Sequence, residues 1–494
     1  MRWRHCGRAI ALGVSAFALA SAARAADRPA DDVGVKSIAA FIMAYAGEAA
    51  LPNIEIKQDG SSYLVAIDIA TVAAALKPTG FAYDPAKIRF RVSHQDDGQW
   101  RVELANLPAL TGHMKGAKGE QIDVHFEHEN LTQVWTLDPK LNWIASGHSQ
   151  WTKAALTERA TGLQEFLETR DFSLDLHTTS AAQGLTTVAV EPIGQMNLLL
   201  DIGAKGADAK TGPATKSIHI SANATRGEAR VSLSNFQPGP LLEGWRFLAA
   251  HPTRADAARD AAALKGILTA LVADPMTLDE AFKIEKIDVQ TDGGPIAIEN
   301  AAIGVGAFNV AAGAGFSESL SATSLKLPDG LVPPAYAALT PTAFDFGFKA
   351  SGFDLAAAVQ EWVADAKLDG TGPILSPEDS KKVSMKLWAL RPVVVEILPS
   401  HFTAPSLDLT MEGKFVIDKG QPTGTLTLKA KKFDEAADAL QAAAPDKASQ
   451  FTPMFAMAKG LGKAQPDGSL VWVYSLGADK VMKVNGLPLG KSPY

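Results

Sequence analysis

Lys349-Ala350-Ser351-Gly352-Phe353-Asp354 returns 80 residues on (349 to 429) as Lys429-Ala430-Lys431-Lys432-Phe433-Asp434. Alternating apolar residues lead into each copy, Phe344, Phe346 and Phe348 in one and Leu426 and Leu428 in the other. A period of two is that of a half-buried strand. Helical spacing follows each copy, so the unit reads as strand, corner, helix, with Phe353 and Phe433 buried at the corner and Asp354 and Asp434 capping the helix. In the first helix Leu355, Val359, Trp362 and Val363 form one apolar stripe; in the second it is Ala436, Ala437, Leu440 and Ala444. The unit describes architecture and names no reaction, and the pattern defines no role for Lys349 or Lys429. A looser third copy stands at Asn235 and Phe236, where strand patterning gives way to helical patterning from Leu241 to Leu271.

Outward from these corners the chain is rich in hairpins. Ile54 to Lys57 pairs with Tyr63 to Ile69 across Asp59 and Gly60, and Ile88 to Val92 pairs with Trp100 to Leu104 across Asp97 and Gly98. Gln121 to Trp151 reads as a meander turning at Asp138 and Pro139. Ile38, Phe41, Ile42 and Tyr45 predict a helix that packs onto the sheet. Ser376, Pro377, Glu378 and Asp379 carry the start signals of another helix. A final hairpin turns into Asn485 and Gly486. The fold class is α+β: large curved antiparallel sheets of hairpins and meanders, partly covered by amphipathic helices. The polar stretch Ala204 to Lys216 and the Pro-rich passage from Pro328 to Pro341 divide it into an N-terminal β-meander region (26–212), a middle α+β region (213–340) and a C-terminal repeat region (341–494).

Arg2, Arg4 and Arg8 precede an apolar run from Ala9 to Ala20, followed by small residues at Ala23 and Ala25. That is the layout of a cleaved secretory signal peptide over 1–25, and it places the mature protein in the periplasm. The run is shorter than the ~20 residues a membrane-spanning helix needs, and Lys265 interrupts the best later candidate, so the mature chain is read as having no membrane span. The single cysteine, Cys6, lies in the leader. A cysteine-free mature chain excludes disulfide frameworks and thiol chemistry. Removing the four arginines of the leader takes the net charge from -7 to -11, which disfavours nucleic acid as a partner.

Catalytic signatures are weak. His125 and His128 are three apart in a predicted strand and point to opposite faces, so they do not form one metal site. The strings around Ser149 and Ser317 lack the final glycine of a nucleophile elbow. Gly304, Gly306, Gly313 and Gly315 precede no Gly-Lys-Ser/Thr and read as strand glycines. Asp96 and Asp97 sit at a turn, where Asp is expected for backbone reasons. No cofactor, metal or catalytic residue is assigned. Trp100, Trp135, Trp143 and Trp151 cluster, and the last three are eight residues apart, a spacing that places them on neighbouring strands if each strand and turn takes about eight residues. They are candidate ligand-facing aromatics lining an apolar trough, or core residues beneath a covering helix.

Gly413, Phe415, Ile417, Gly420, Pro422, Gly424 and Leu426, then the Phe433 helix and the closing Val484-Asn485-Gly486-Leu487-Pro488, resemble an uncharacterised Gram-negative envelope family, the domain of unknown function DUF twenty-one twenty-five. The resemblance covers the last third and carries no assigned activity. More loosely, the chain is similar to the long β-groove proteins of the bacterial envelope that hold or conduct lipids, but it lacks their anchor and great length. The leading expectation is a non-enzymatic periplasmic protein binding a lipid or other apolar ligand in a β-sheet groove. Two alternatives stay open: a scaffold or adaptor binding another envelope protein, and a hydrolase with dispersed catalytic residues.

Overall fold

The computed structural model describes residues 27–491 apart from 47, 77–80, 116–119, 161–162, 203–217, 252–253, 274, 311–312, 368–371, 390–391 and 446–447. The expected leader and the expected loop at 204–216 fall outside the described residues. Strands dominate, their ladders run antiparallel, and helices stand beside them, as the α+β reading expects. The chain divides into two compact units. The first extends to His219 and adds Arg226–Met276 and Ala366–Ile374; the second takes Ile220–Thr225, Thr277–Asp365 and Leu375 onward.

The first unit is organised by one 18-residue strand, Trp143–Ala160. One of its edges pairs with Leu163–Ala181, which pairs in turn with Gly184–Ile202. Its other edge is long enough for two partners end to end: Thr132–Asp138 on the first half and Gln121–Glu129 on the second. The stretch read as a meander therefore lies in tandem along one neighbour, and the sheet forks. One branch continues through Trp100–Asn106, Lys87–His94, Ser62–Asp68 and Ile54–Asp59. The other continues through Leu110–Lys115 to Phe81–Tyr83. Both expected hairpins are present, turning at Gly60 and Gly98 with positive φ. The expected first helix, Asp32–Ala46, lays Val35, Ile38 and Ile42 over Tyr63, Val65 and Val92. Gly34 makes that approach feasible: a Cβ there would stand 1.9 Å from the Tyr63 hydroxyl oxygen.

In the second unit chain order is sheet order, apart from the two-residue strand Lys463–Ala464, which pairs beside Leu470–Leu476. Thr277–Thr291, Gly294–Val310, Gly313–Thr323, Ala343–Phe353, Val393–Ala404, Leu407–Asp418 and Gln421–Lys431 each pair with the next. The ladder continues through Leu470–Leu476 and Val481–Val484 to Leu487–Lys491. Two helix pairs interrupt it: Leu355–Asp365 with Pro377–Ala389, and Phe433–Ala443 with Ala448–Leu461.

The repeated corner is a left-handed residue followed by phenylalanine. Gly352 (φ 98°) precedes Phe353 and Lys432 (φ 57°) precedes Phe433. The loose third copy shares the device, since Asn235 (φ 56°) precedes Phe236, which is fully buried ahead of helix Pro238–Ala250. Each phenyl ring packs on an indole: Phe236 on Trp143 at 5.1 Å, Phe353 on Trp388 at 5.3 Å and Phe433 on Trp472 at 5.4 Å. The repeated alanines, Ala350 and Ala430, are both buried. The lysines diverge. Lys349 sits 4.8 Å over the Phe308 ring, while Lys429 pairs with Asp467 at 2.9 Å.

Asp354 caps as expected, its carboxylate accepting the Ala357 N–H at 2.9 Å. Asp434 does not, because the second helix already begins at Phe433, directly after the left-handed Lys432. Asp434 lies in the first turn and pairs with Lys459 of the following helix at 2.7 Å. Ser376 caps Pro377–Ala389 by accepting the Asp379 N–H at 3.1 Å. The Lys382 ammonium and the Ser376 hydroxyl hold the Asp379 carboxyl down to about 2. At the closing turn, Asn485 (φ 49°) and Gly486 (φ 86°) give a two-residue hairpin. The Asn485 amide accepts the Val473 N–H at 2.9 Å and donates to the Leu461 and Val471 carbonyls at 2.8 and 2.9 Å.

Gly352→Ala puts a Cβ 2.6 Å from the Pro392 carbonyl oxygen and should lower the thermal midpoint, whereas Lys432→Gly, which relieves a left-handed side chain, should raise it or leave it unchanged. Asn485→Ala strands two backbone carbonyls and is expected to cost about 2–4 kcal/mol in urea unfolding. Asp379 has a depressed folded pKa, so its contribution is present above the ordinary carboxylate range and is lost as pH falls toward 2. The stability difference between Asp379→Asn and the parent, followed by circular dichroism, should close over that window.

Candidate functional site

Register pairs in an antiparallel sheet share a face, so the ladders of the second unit define which side chains stand together. One continuous row runs Glu280, Val305, Glu318, Phe348, Ile397, Gly413, Leu426, Tyr474 and Val484 across nine strands. The rows beside it carry Phe282, Ile303, Leu320 and Phe346 on one side and Ala307, Phe316, Ala350, Val395 and Phe415 on the other. The opposite face presents polar side chains such as Lys349, Glu396, Lys414 and Lys429, with Lys414 and Glu396 paired at 2.7 Å. Within the apolar face, Phe316 meets Phe348 edge-on at 5.6 Å and Phe344 lies against Phe402 at 6.4 Å. The ladder slips by one residue between Ile397 and Ser400, a bulge that bends the strand while keeping Ile397 and Phe402 on this face.

Cover along this face is uneven. At one end Phe433 and Leu461 from the second helix pair close over Ala430, Leu470, Trp472 and Val484. Val484 has no exposure, and the Trp472 indole N–H donates to the Ala458 carbonyl at 2.7 Å. At the other end Val305, Phe316, Ile303 and Leu320 are 40–48% exposed although they are neighbours on one face. These four side chains form a contiguous open apolar patch on the sheet.

The tryptophan series lies in the first unit and does not form one row. The organising strand is long, so Trp143 and Trp151 share it instead of standing on neighbouring strands. Trp135 is buried with Leu174 and Ala189, and Trp100 stacks on His94 at 4.4 Å beside the cluster under the first helix. Trp143 packs on Phe236, and Trp151 stacks on Phe172 at 3.8 Å while donating to the Thr169 hydroxyl at 3.0 Å. The structural corners Phe353 and Phe433 both contact the second unit's helices or strands, as described above.

The residues weighed for chemistry stay apart. His125 contacts the Thr111 hydroxyl at 3.1 Å and His128 contacts the Leu107 carbonyl at 2.8 Å. Among the described residues no group of three His, Cys, Asp or Glu converges as a metal site. Ser149 is buried, and Ser317 stands opposite Gly306 and Lys349 in the ladder. Asp97 accepts the Gln99 N–H at 2.9 Å, the turn role expected of it. One cluster escaped the sequence reading: Glu168, buried, with Arg170 at 2.8 Å, Asn197 at 3.2 Å and Lys153 at 3.6 Å. Burial pushes the Glu168 carboxyl up, but the Arg170 and Asn197 hydrogen bonds outweigh it and hold the group below its ordinary value. The alternation Glu168, Arg170 was the available signal for a pair sharing a strand face.

Residues 296–493 match the family model described as an uncharacterized protein conserved in bacteria (DUF2125), which bears out the resemblance drawn from the last third. That segment supplies every strand of the apolar row except Thr277–Thr291. No curated protein and no solved structure matches the chain. Among the described residues no helix is long and apolar enough to cross a membrane.

The gradient of cover predicts a gradient of cost. Trp472→Ala should destabilise by about 3–5 kcal/mol and Phe316→Ala by about 1–2 kcal/mol in chemical denaturation. Equal losses would contradict an open end at Phe316.

Proposed function

We propose that the apolar face of the second unit binds an apolar or amphipathic ligand such as a lipid, without turning it over, and that the protein does so in the periplasm. The observation that carries this reading is the open end of the face, where Ile303, Val305, Phe316 and Leu320 remain uncovered. Burying them under a hydrocarbon chain recovers about 25 cal/mol for each Å² removed from water. Size supports it. Nine strands at about 4.8 Å spacing give a row of about 38 Å, against about 15 Å for one leaflet of a ~30 Å hydrocarbon core. An acyl chain laid along the row is accommodated with strands to spare. The basic and apolar leader of the sequence supports the location, since an exported protein meets lipid at both faces of its compartment.

Organic extraction of the purified protein followed by mass spectrometry should recover lipid, and the delipidated protein should take up a fluorescent fatty acid. The double variant Ile303→Asp with Leu320→Asp should abolish uptake while its unfolding free energy in urea stays within about 1 kcal/mol of the parent, because both positions are already nearly half exposed. A clean protein with no uptake would sink the reading.

A further inference from the structure

Two carboxylates stand in the long row of the apolar face, at its open end. Glu280 and Glu318 flank Val305 in one row, and both are exposed. From Glu318 inward that row runs through Phe348, Ile397, Gly413 and Leu426 with no ionisable group before Tyr474. Elsewhere in this unit some acids have a cation beside them: Glu396 has Lys414 at 2.7 Å and Asp467 has Lys429 at 2.9 Å. Glu280 and Glu318 have no ion pair or hydrogen bond among the described residues. Two like charges in one row, on strands separated by a single neighbour, also repel each other by an amount a cation between them would remove.

Resting on the lipid-binding reading above, we propose that the ligand is an amphiphile with a cationic, amine-bearing head, seated with its head between Glu280 and Glu318 and its chain directed along the row toward Leu426. Charge complementarity chooses this occupant. An anionic head at the same place faces two carboxylates without an adjoining cation on that row, and a neutral head gains nothing from them. The apolar stretch then measures the tail, while the acids select the head and fix its direction.

The test uses the delipidated full chain and three amphiphiles of equal chain length, dodecylamine, dodecanol and dodecanoate, in competition with a fluorescent fatty probe at neutral pH. Dodecylamine, protonated there, should bind about fivefold more tightly than dodecanol, and dodecanoate more weakly than either. The spread should narrow as salt is raised. In Glu280→Gln with Glu318→Gln the three should converge while dodecanol binding is retained, which shows that the variant is folded and the face intact. Equal binding of all three by the parent, or a spread that survives in the double variant, would overturn the head-group assignment and leave lipid binding standing. Failure of all three to bind would overturn both.

Discussion

From Thr277 to Lys431 each strand of the second unit pairs with the next in the chain, and alternation carries one apolar face across that ladder. Register is the constraint on which the rest depends. A slip of one residue at any pair would turn Phe344, Phe346 and Phe348 toward the polar side and bring Lys349 onto the apolar one. The bulge at Leu398 and Pro399 is tolerated because the extra residue sits on one strand only, so that Phe348 still meets Ile397 and Phe344 still meets Phe402.

The corners convert that ladder into a covered sheet. A residue in the left-handed region reverses the chain's direction within one step, and the phenylalanine after it anchors the new direction against an indole. Glycine, lysine and asparagine fill the three left-handed positions, and only glycine and asparagine suit that backbone intrinsically. At Lys432 the packing of Phe433 against Trp472 and Phe455 overrides a local preference. The same helix pair seals one end of the apolar face and leaves the other bare, so cover and opening arise from one arrangement.

Much of this was legible in the residues. Alternation at Phe344, Phe346 and Phe348, the cap at Asp354, the Ser376 start and the Asn485-Gly486 turn each follow from local rules that tertiary packing did not overturn. Asp434 departs from the cap its sequence suggests because the same hexapeptide meets its helix one residue earlier in the second copy, which leaves the carboxylate free to reach Lys459. The tryptophan spacing misled for a different reason. Eight residues fit a strand and a turn only if strands are short, and one strand of 18 residues absorbed two of them. The open face was invisible for a physical reason: a sequence shows which side of a strand is apolar, and nothing in it shows whether a helix lies on top. Glu168 was hidden likewise, since its partners Lys153 and Asn197 come from neighbouring strands.

From Thr277 to Lys491 the ladders follow chain order closely; the longest excursions among them are the helix pairs between Phe353 and Val393 and between Lys431 and Leu470. Loop closure of that length adds little entropy cost per step, and such a sheet grows by accretion, as stacked repeats do. Its length is therefore an additive quantity. Gain or loss of one hairpin would lengthen or shorten the apolar row by about 10 Å while leaving every other register intact, so the reach of the apolar face is set by how many hairpins the chain contains.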